Sequence, residues 1–156
     1  MSTILMKYFF GLEEPVCDKD GLYNGCIVPR EQAAILYWMT WLGAITGPIG
    51  IWNGYTWLGT GTSIGVIVAQ GYWSNPTYSW RRTLDIACVQ VLLWAHIWVS
   101  LSSSQAVLYN LIIAFGGVSY VVGWMFTRRG QSWAGTFAHC IVHLCGQGGA
   151  IILYLS

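Results

Sequence analysis

Charge is confined to three short stretches of this 156-residue chain. Apart from Asp85, every charged residue lies in 1–31, 81–82 or 128–129. The uncharged segments that remain, at 32–80, 86–127 and 130–156, are too long for the core helices of so small a globular domain. An ionised side chain at the bilayer centre costs at least ~2.5–3.5 kcal/mol. The segregation of charge therefore predicts an integral membrane protein.

The apolar sequence divides into segments of membrane-spanning length. Hydrophobic residues make up 55% of the chain and charged residues 8%, against roughly 25% charged in an average soluble domain. A helix needs about 17–25 residues to cross the ~30 Å hydrocarbon layer, and turn signals at 53–54, 74–76 and 102–105 supply the breaks. We predict an all-α, polytopic transmembrane helix bundle of about five spans. The spans lie near 33–52, 56–73, 83–101, 106–126 and 133–155.

Five spans place all the arginines on one face of the membrane. The loops on the opposite face, around 53–55 and 102–105, carry no charge. The positive-inside rule predicts that the arginine face is the inside, with the N-terminus inside and the C-terminus outside. The inside is the cytosol or its equivalent in a mitochondrial or other organellar membrane. The arginines concerned are Arg30, Arg81, Arg82, Arg128 and Arg129.

The polar N-terminal stretch is predicted to be a separate region. We divide the chain into an inside-facing cap at 1–31, with a short interfacial helix at 3–10, and a transmembrane bundle at 32–156. No small-residue cleavage site follows the first ten residues, so no secretory signal peptide is expected. The net charge of +1 gives no support for binding nucleic acid.

Three histidines and one aspartate are the ionisable groups at membrane depth, where such groups are a functional hypothesis by default. His139 and His143 are four residues apart and face one side of the last span. Asp85 and His96 are eleven apart, which leaves them about 20° out of line on one face. Counting ~1.5 Å per residue puts His96, His143 and Ser63 near mid-membrane, where they could share a site. Asp85, near the inner end, is expected to pair with an arginine.

Three interpretations of the histidines remain open. Each neutral imidazole could hydrogen-bond across helices, worth about 0.6–2 kcal/mol per contact. A metal-binding site is the second: imidazole suits zinc, and an i, i+4 pair with a distant third ligand is a recurrent geometry with a bound water as nucleophile. The third is haem b held by His96 and His143 from facing helices.

The pattern His139-x-x-x-His143 in the last span, with one His and an Asp in an earlier span, resembles the CREST superfamily of membrane hydrolases. That group includes the alkaline ceramidases and the progestin and adipoQ receptors. The resemblance implies a zinc ion held by His96, His139 and His143, with Ser63 and Asp85 as catalytic or neighbouring groups. It touches five residues, and it departs from the family's seven spans and from its order of Asp and His.

The leading functional prediction is a small, non-catalytic subunit of a larger membrane complex. The chain is dense in Trp and Gly, with 10 and 19, and small residues mark the faces on which membrane helices pack. The expected partners are the lipid bilayer and other membrane subunits, with no cofactor. The alternative is a metal-dependent intramembrane hydrolase using the His cluster with zinc. A channel or transporter component is third.

Overall fold

The computed structural model describes residues 27–156, and every regular element in that range is an α-helix. The predicted all-α bundle is thereby confirmed, while residues 1–26 of the predicted cap at 1–31, with its helix at 3–10, lie outside the described residues. The helices are α1 (Arg30–Thr40), α2 (Leu42–Trp52), α3 (Thr56–Trp73), α4 (Trp80–Ser100), α5 (Ala106–Arg128) and α6 (Ser132–Tyr154). Each observed end lies within three residues of the predicted one.

Helices α1 and α2 form one rod that is interrupted at a single residue. Trp41 separates them, and its N–H bonds to the Trp38 carbonyl, three residues back, instead of four. This rod, α4, α5 and α6 are the four helices of the described residues that are long and apolar enough to cross a membrane. The fifth, α3, has 18 residues and is more polar. It is also flanked by α1, α2 and α4.

Glycines set the closest approaches between helices. A Cβ added at Gly59 of α3 would lie 2.4 Å from the Gly47 carbonyl oxygen of α2, and one at Gly116 of α5 would lie 2.9 Å from Cys145 Cβ of α6. No side chain fits at such distances, so each glycine lets two backbones pack directly. The result is two tight hairpins, α2–α3 and α5–α6, both formed by neighbours in sequence.

Helix α6 lies centrally and contacts α1, α2 and α5. Near the arginine-bearing end, the Gln32 side chain of α1 is 2% exposed and bonds both Ser132 and Thr136 of α6. Near the other end, Tyr154 of α6 packs with Leu58 of α3. Polar contacts thus hold α6 at the arginine-bearing end, and apolar packing holds it at the other end together with the hydrogen bonds of Tyr154. The candidate site lies along this face.

Helices α4 and α5 touch little, although a short loop connects them. They meet near that loop, where Asn110 Nδ2 donates to Ser100 Oγ at 3.1 Å. Farther along, Val89 and Ile86 of α4 lie on the face that carries Ser100, and Gly117 and Trp124 of α5 lie on the face that carries Asn110. The exposed fractions of Val89, Ile86 and Trp124 are 51%, 41% and 50%, and nothing lies within 4 Å of a Cβ added at Gly117. The two helices therefore diverge, and we call the gap lined by Ile86, Val89, Gly117 and Trp124 the α4/α5 cleft.

Candidate functional site

A polar stripe runs along one face of α6. Its members recur every three, four or seven residues, so they stack on one side of the helix. Glycine or small residues on the facing helices leave room for them; a Cβ at Gly43 of α2, for example, would lie 3.3 Å from Gln147 Nε2. The stripe consists of Ser132, Thr136, His139, His143, Gln147 and Tyr154.

Tyr154, at the C-terminal end of the stripe, joins three helices through hydrogen bonds. Its hydroxyl oxygen lies 2.6 Å from His96 Nε2 of α4 and 3.3 Å from Thr62 Oγ1 of α3. His96 Nδ1 lies 2.7 Å from the Leu92 carbonyl oxygen. A carbonyl only accepts, so the proton sits on Nδ1; the neutral ring then accepts at Nε2 from Tyr154, which in turn accepts from Thr62. One orientation of every proton satisfies the whole cluster.

His139 and His143 lie side by side in the middle of the stripe. Their ring centroids are 5.1 Å apart, and the His139 ring also contacts Trp73 of α3 at 5.3 Å and Tyr120 of α5 at 6.1 Å. His143 Nε2 and Gln147 Oε1 are buried, and neither has a hydrogen-bond partner among residues 27–156. Such atoms are rare in folded proteins and indicate a position that water or another group occupies.

The structure brings two of the predicted site residues together and places the others apart. His139 and His143 form a pair, whereas both ring nitrogens of His96 are already engaged. The Tyr154 that holds His96 lies eleven residues, about 16 Å along the helix axis, beyond His143. In the described part of the chain, no group of three or more His, Cys, Asp or Glu side chains is arranged to hold a metal ion. The zinc and haem b ligand sets stay predictions.

Within residues 27–156, neither Ser63 nor Asp85 forms a hydrogen bond or ion pair with a histidine. Ser63 Oγ donates to the Gly59 carbonyl oxygen at 3.0 Å, and it packs where α3 crosses Gly47 of α2. Asp85 is 9% exposed on α4 and forms no hydrogen bond or ion pair with a residue of 27–156. The catalytic roles implied by the family resemblance therefore remain predictions without a supporting contact.

The sequence did not point to Tyr154 as a site residue. A tyrosine at the end of a span is usual in the interfacial aromatic belt, which hid its role. Its spacing of seven residues from Gln147 was the one available signal, because seven residues return to the same helix face. Gln32 was likewise placed by sequence only at the edge of a span, while the structure buries its side chain completely between α1 and α6.

A second polar group stands at mid-membrane depth, outside the stripe. Gln90 is the central residue of α4, at the rim of the α4/α5 cleft. Its side chain is exposed and forms no hydrogen bond with any residue that the structure describes. By comparison with known proteins, the chain matches no family model, no curated protein and no solved structure. The contacts of the stripe and of Gln90 are therefore the basis for inferring function.

Proposed function

We propose that this integral membrane protein is a non-catalytic subunit of a larger membrane complex, in which a transmembrane helix of another subunit covers the α4/α5 cleft. The observation that carries the proposal is the exposed carboxamide of Gln90 at the middle of a span. Hydrocarbon offers no hydrogen bond, and each unsatisfied polar group there costs several kcal/mol. A protein neighbour supplies the missing partner, and lipid does not.

The shape of the α4/α5 cleft suits a transmembrane helix of another subunit. The Asn110–Ser100 bond closes the cleft at the loop end, whereas the exposed Val89 and Trp124 leave it open toward the arginine-bearing end. Gly117 in its wall leaves space for the backbone of another helix to approach. Small residues are what such a contact requires in membranes, because packing replaces the hydrophobic effect there.

The test substitutes Gln90 by Leu in the full chain, with Val91→Leu as the matched control. Val91 is 69% exposed on the adjacent position of the same helix. The assembly is followed by native gel electrophoresis and mass spectrometry of mildly solubilised source membranes. Loss of one interhelical hydrogen bond should weaken the complex about 3- to 30-fold for Gln90→Leu, with no change for Val91→Leu. A wild-type chain that migrates as a monomer, or an unaffected Gln90→Leu complex, contradicts the proposal.

The His-cluster hydrolase stays the alternative, and one observation favours keeping it. His143 Nε2 is buried without a partner in the described residues, next to His139. A metal held by those two would need a third ligand, and recruiting His96 would require it to release Tyr154. Metal analysis of the purified chain and of His143→Ala separates the two proposals. Stoichiometric zinc that falls with activity in the variant favours the hydrolase; metal-free protein in an intact complex favours the subunit.

A further inference from the structure

A cavity of about 510 Å³ opens at the arginine-bearing end of the bundle. It lies between the start of α1 and the end of α3. Arg30, Ala33, Ala34 and Tyr37 line it from α1, and Trp73 and the following residues 74–76 line it from the other side. The volume falls within the range of about 300–1,000 Å³ that is usual for small-ligand sites.

The polar groups of the cavity suit an anion. Arg30 contributes a guanidinium, and none of the cavity-lining residues within 27–156 carries a carboxylate. Within residues 27–156 no Asp or Glu forms an ion pair with Arg30, and the adjacent Glu31 projects about 100° away around the helix. Ser74 and Asn75 line the side opposite α1, and the Ser74 hydroxyl donates to the Gly71 carbonyl oxygen at 3.1 Å. A planar guanidinium can donate two parallel N–H···O bonds to a phosphate group, so Arg30 supplies the charged contact for such an anion.

An apolar track continues from the cavity into the membrane. Ala34, Trp38, Trp41 and Ile45 follow Arg30 at spacings of three or four residues, so they form one row along the α1–α2 rod. Their side chains are exposed, with 68%, 45% and 62% exposure for Trp38, Trp41 and Ile45. A ligand that binds the cavity with a phosphate can therefore lay a hydrocarbon chain along the same rod.

The depth of the cavity fits a lipid headgroup. Arg30 is the first residue of a membrane span, and Tyr37 and Trp73 flank it as the aromatic residues of a membrane interface do. Basic pockets between spans at this level are typical sites for anionic lipid headgroups. We propose that the cavity binds the phosphate of an anionic phospholipid, with Arg30 as the charged contact and the row from Ala34 to Ile45 as the acyl-chain track.

The experiment compares two lipids that differ only in headgroup charge. Full-length protein in detergent is titrated with phosphatidylglycerol or with phosphatidylcholine of the same acyl chains, and bound lipid is counted by native mass spectrometry. We expect one phosphatidylglycerol to bind at least tenfold more tightly than phosphatidylcholine. Arg30→Gln should abolish that preference. Arg129→Gln, which removes an exposed arginine at the same end of the bundle, should keep it.

Two further arms test the space in the cavity and the need for an acyl chain. Ala34→Phe fills the cavity mouth without changing charge and should also lower phosphatidylglycerol binding about tenfold. Millimolar inorganic phosphate should not displace the lipid, because it lacks the acyl chain. Equal binding of the two lipids, an unchanged preference in Arg30→Gln, an equal loss in Arg129→Gln, or full displacement by inorganic phosphate would each overturn the proposal.

Discussion

At the scale of single residues, both ring nitrogens of His96 are engaged in hydrogen bonds, one of them with Tyr154, while its predicted role as a metal ligand stays a prediction. The hydroxyl of Tyr154 meets His96 and Thr62, and all three side chains are buried. Interhelical hydrogen bonds in membranes are worth only about 0.6–2 kcal/mol each, but leaving a buried acceptor unpaired costs more than the bond itself gains. The cluster is thus a sensitive position despite its modest net contribution.

We predict that Tyr154→Phe lowers the free energy of unfolding by about 1–3 kcal/mol, because His96 Nε2 and Thr62 then lose their partner. Detergent-induced unfolding followed by tryptophan fluorescence measures the change. Tyr120→Phe is the matched control, since its side chain is 51% exposed and its hydroxyl bonds no residue of 27–156. Equal stability of Tyr154→Phe and wild type would show that the contact does not form in the membrane.

The same cluster allows a test of coupling. Thr62→Val and Tyr154→Phe remove two ends of one bond, so the double variant should be less destabilised than the sum of the single variants by about 0.5–2 kcal/mol. The measurement is the same detergent titration on all four proteins. Strict additivity would indicate that the two side chains act independently.

At the scale of the helices, the α2–α3 hairpin depends on the contact of Gly47 with the opposite helix. A Cβ at Gly47 would lie 2.2 Å from Ser63 Oγ and 2.9 Å from the Gly59 carbonyl oxygen. The hydroxyl can rotate away with its side chain, but the carbonyl belongs to the backbone. A side chain at position 47 would therefore clash with the backbone of α3 even after Ser63 has moved away.

Gly47→Ala is accordingly predicted to destabilise the fold by about 1–3 kcal/mol through overpacking. Adding Ser63→Ala should restore part of the loss, since it removes the nearer of the two contacts. Gly148→Ala is the control on α6, where a Cβ would meet nothing within 4 Å, and alanine there should be neutral or stabilising by up to about 1 kcal/mol. Similar stabilities for Gly47→Ala and Gly148→Ala would contradict the close packing.

The positions of the helices could be predicted from the sequence, whereas the contacts between side chains of different helices could not. Charge and turn residues located the helices because lipid excludes ionised groups and because the clusters at 53–54, 74–76 and 102–105 favour turns. The pairing of His96 with Tyr154 depends on how far each helix is shifted along its axis. Depth counting assumed that every span starts in one plane and runs straight, whereas glycine contacts and the break at Trp41 decide the actual offsets.

At the scale of the whole molecule, the charge distribution predicts the orientation of the bundle. With five spans, Asn53 and Ser104 lie on one side of the membrane, and Ser74 and Arg129 on the other. Single cysteines at these positions in a cysteine-free chain should react with an impermeant maleimide from opposite sides of sealed vesicles. Labelling of Asn53→Cys and Arg129→Cys from the same side would refute the topology.

Helix α4 buries only Asp85, His96 and Ser100, all of them polar. Most of its remaining side chains are apolar. Because lipid tails are as apolar as these side chains, packing them against the neighbouring helices gains little hydrophobic free energy. Hydrogen bonds of His96 and Ser100 hold α4 on the bundle, together with Leu92, which packs against Gly61 and Gly65 of α3. The position and rotation of α4 in the bundle are therefore set by these few contacts, and a substitution that removes one of them should destabilise the fold more than a substitution at an exposed position of the same helix.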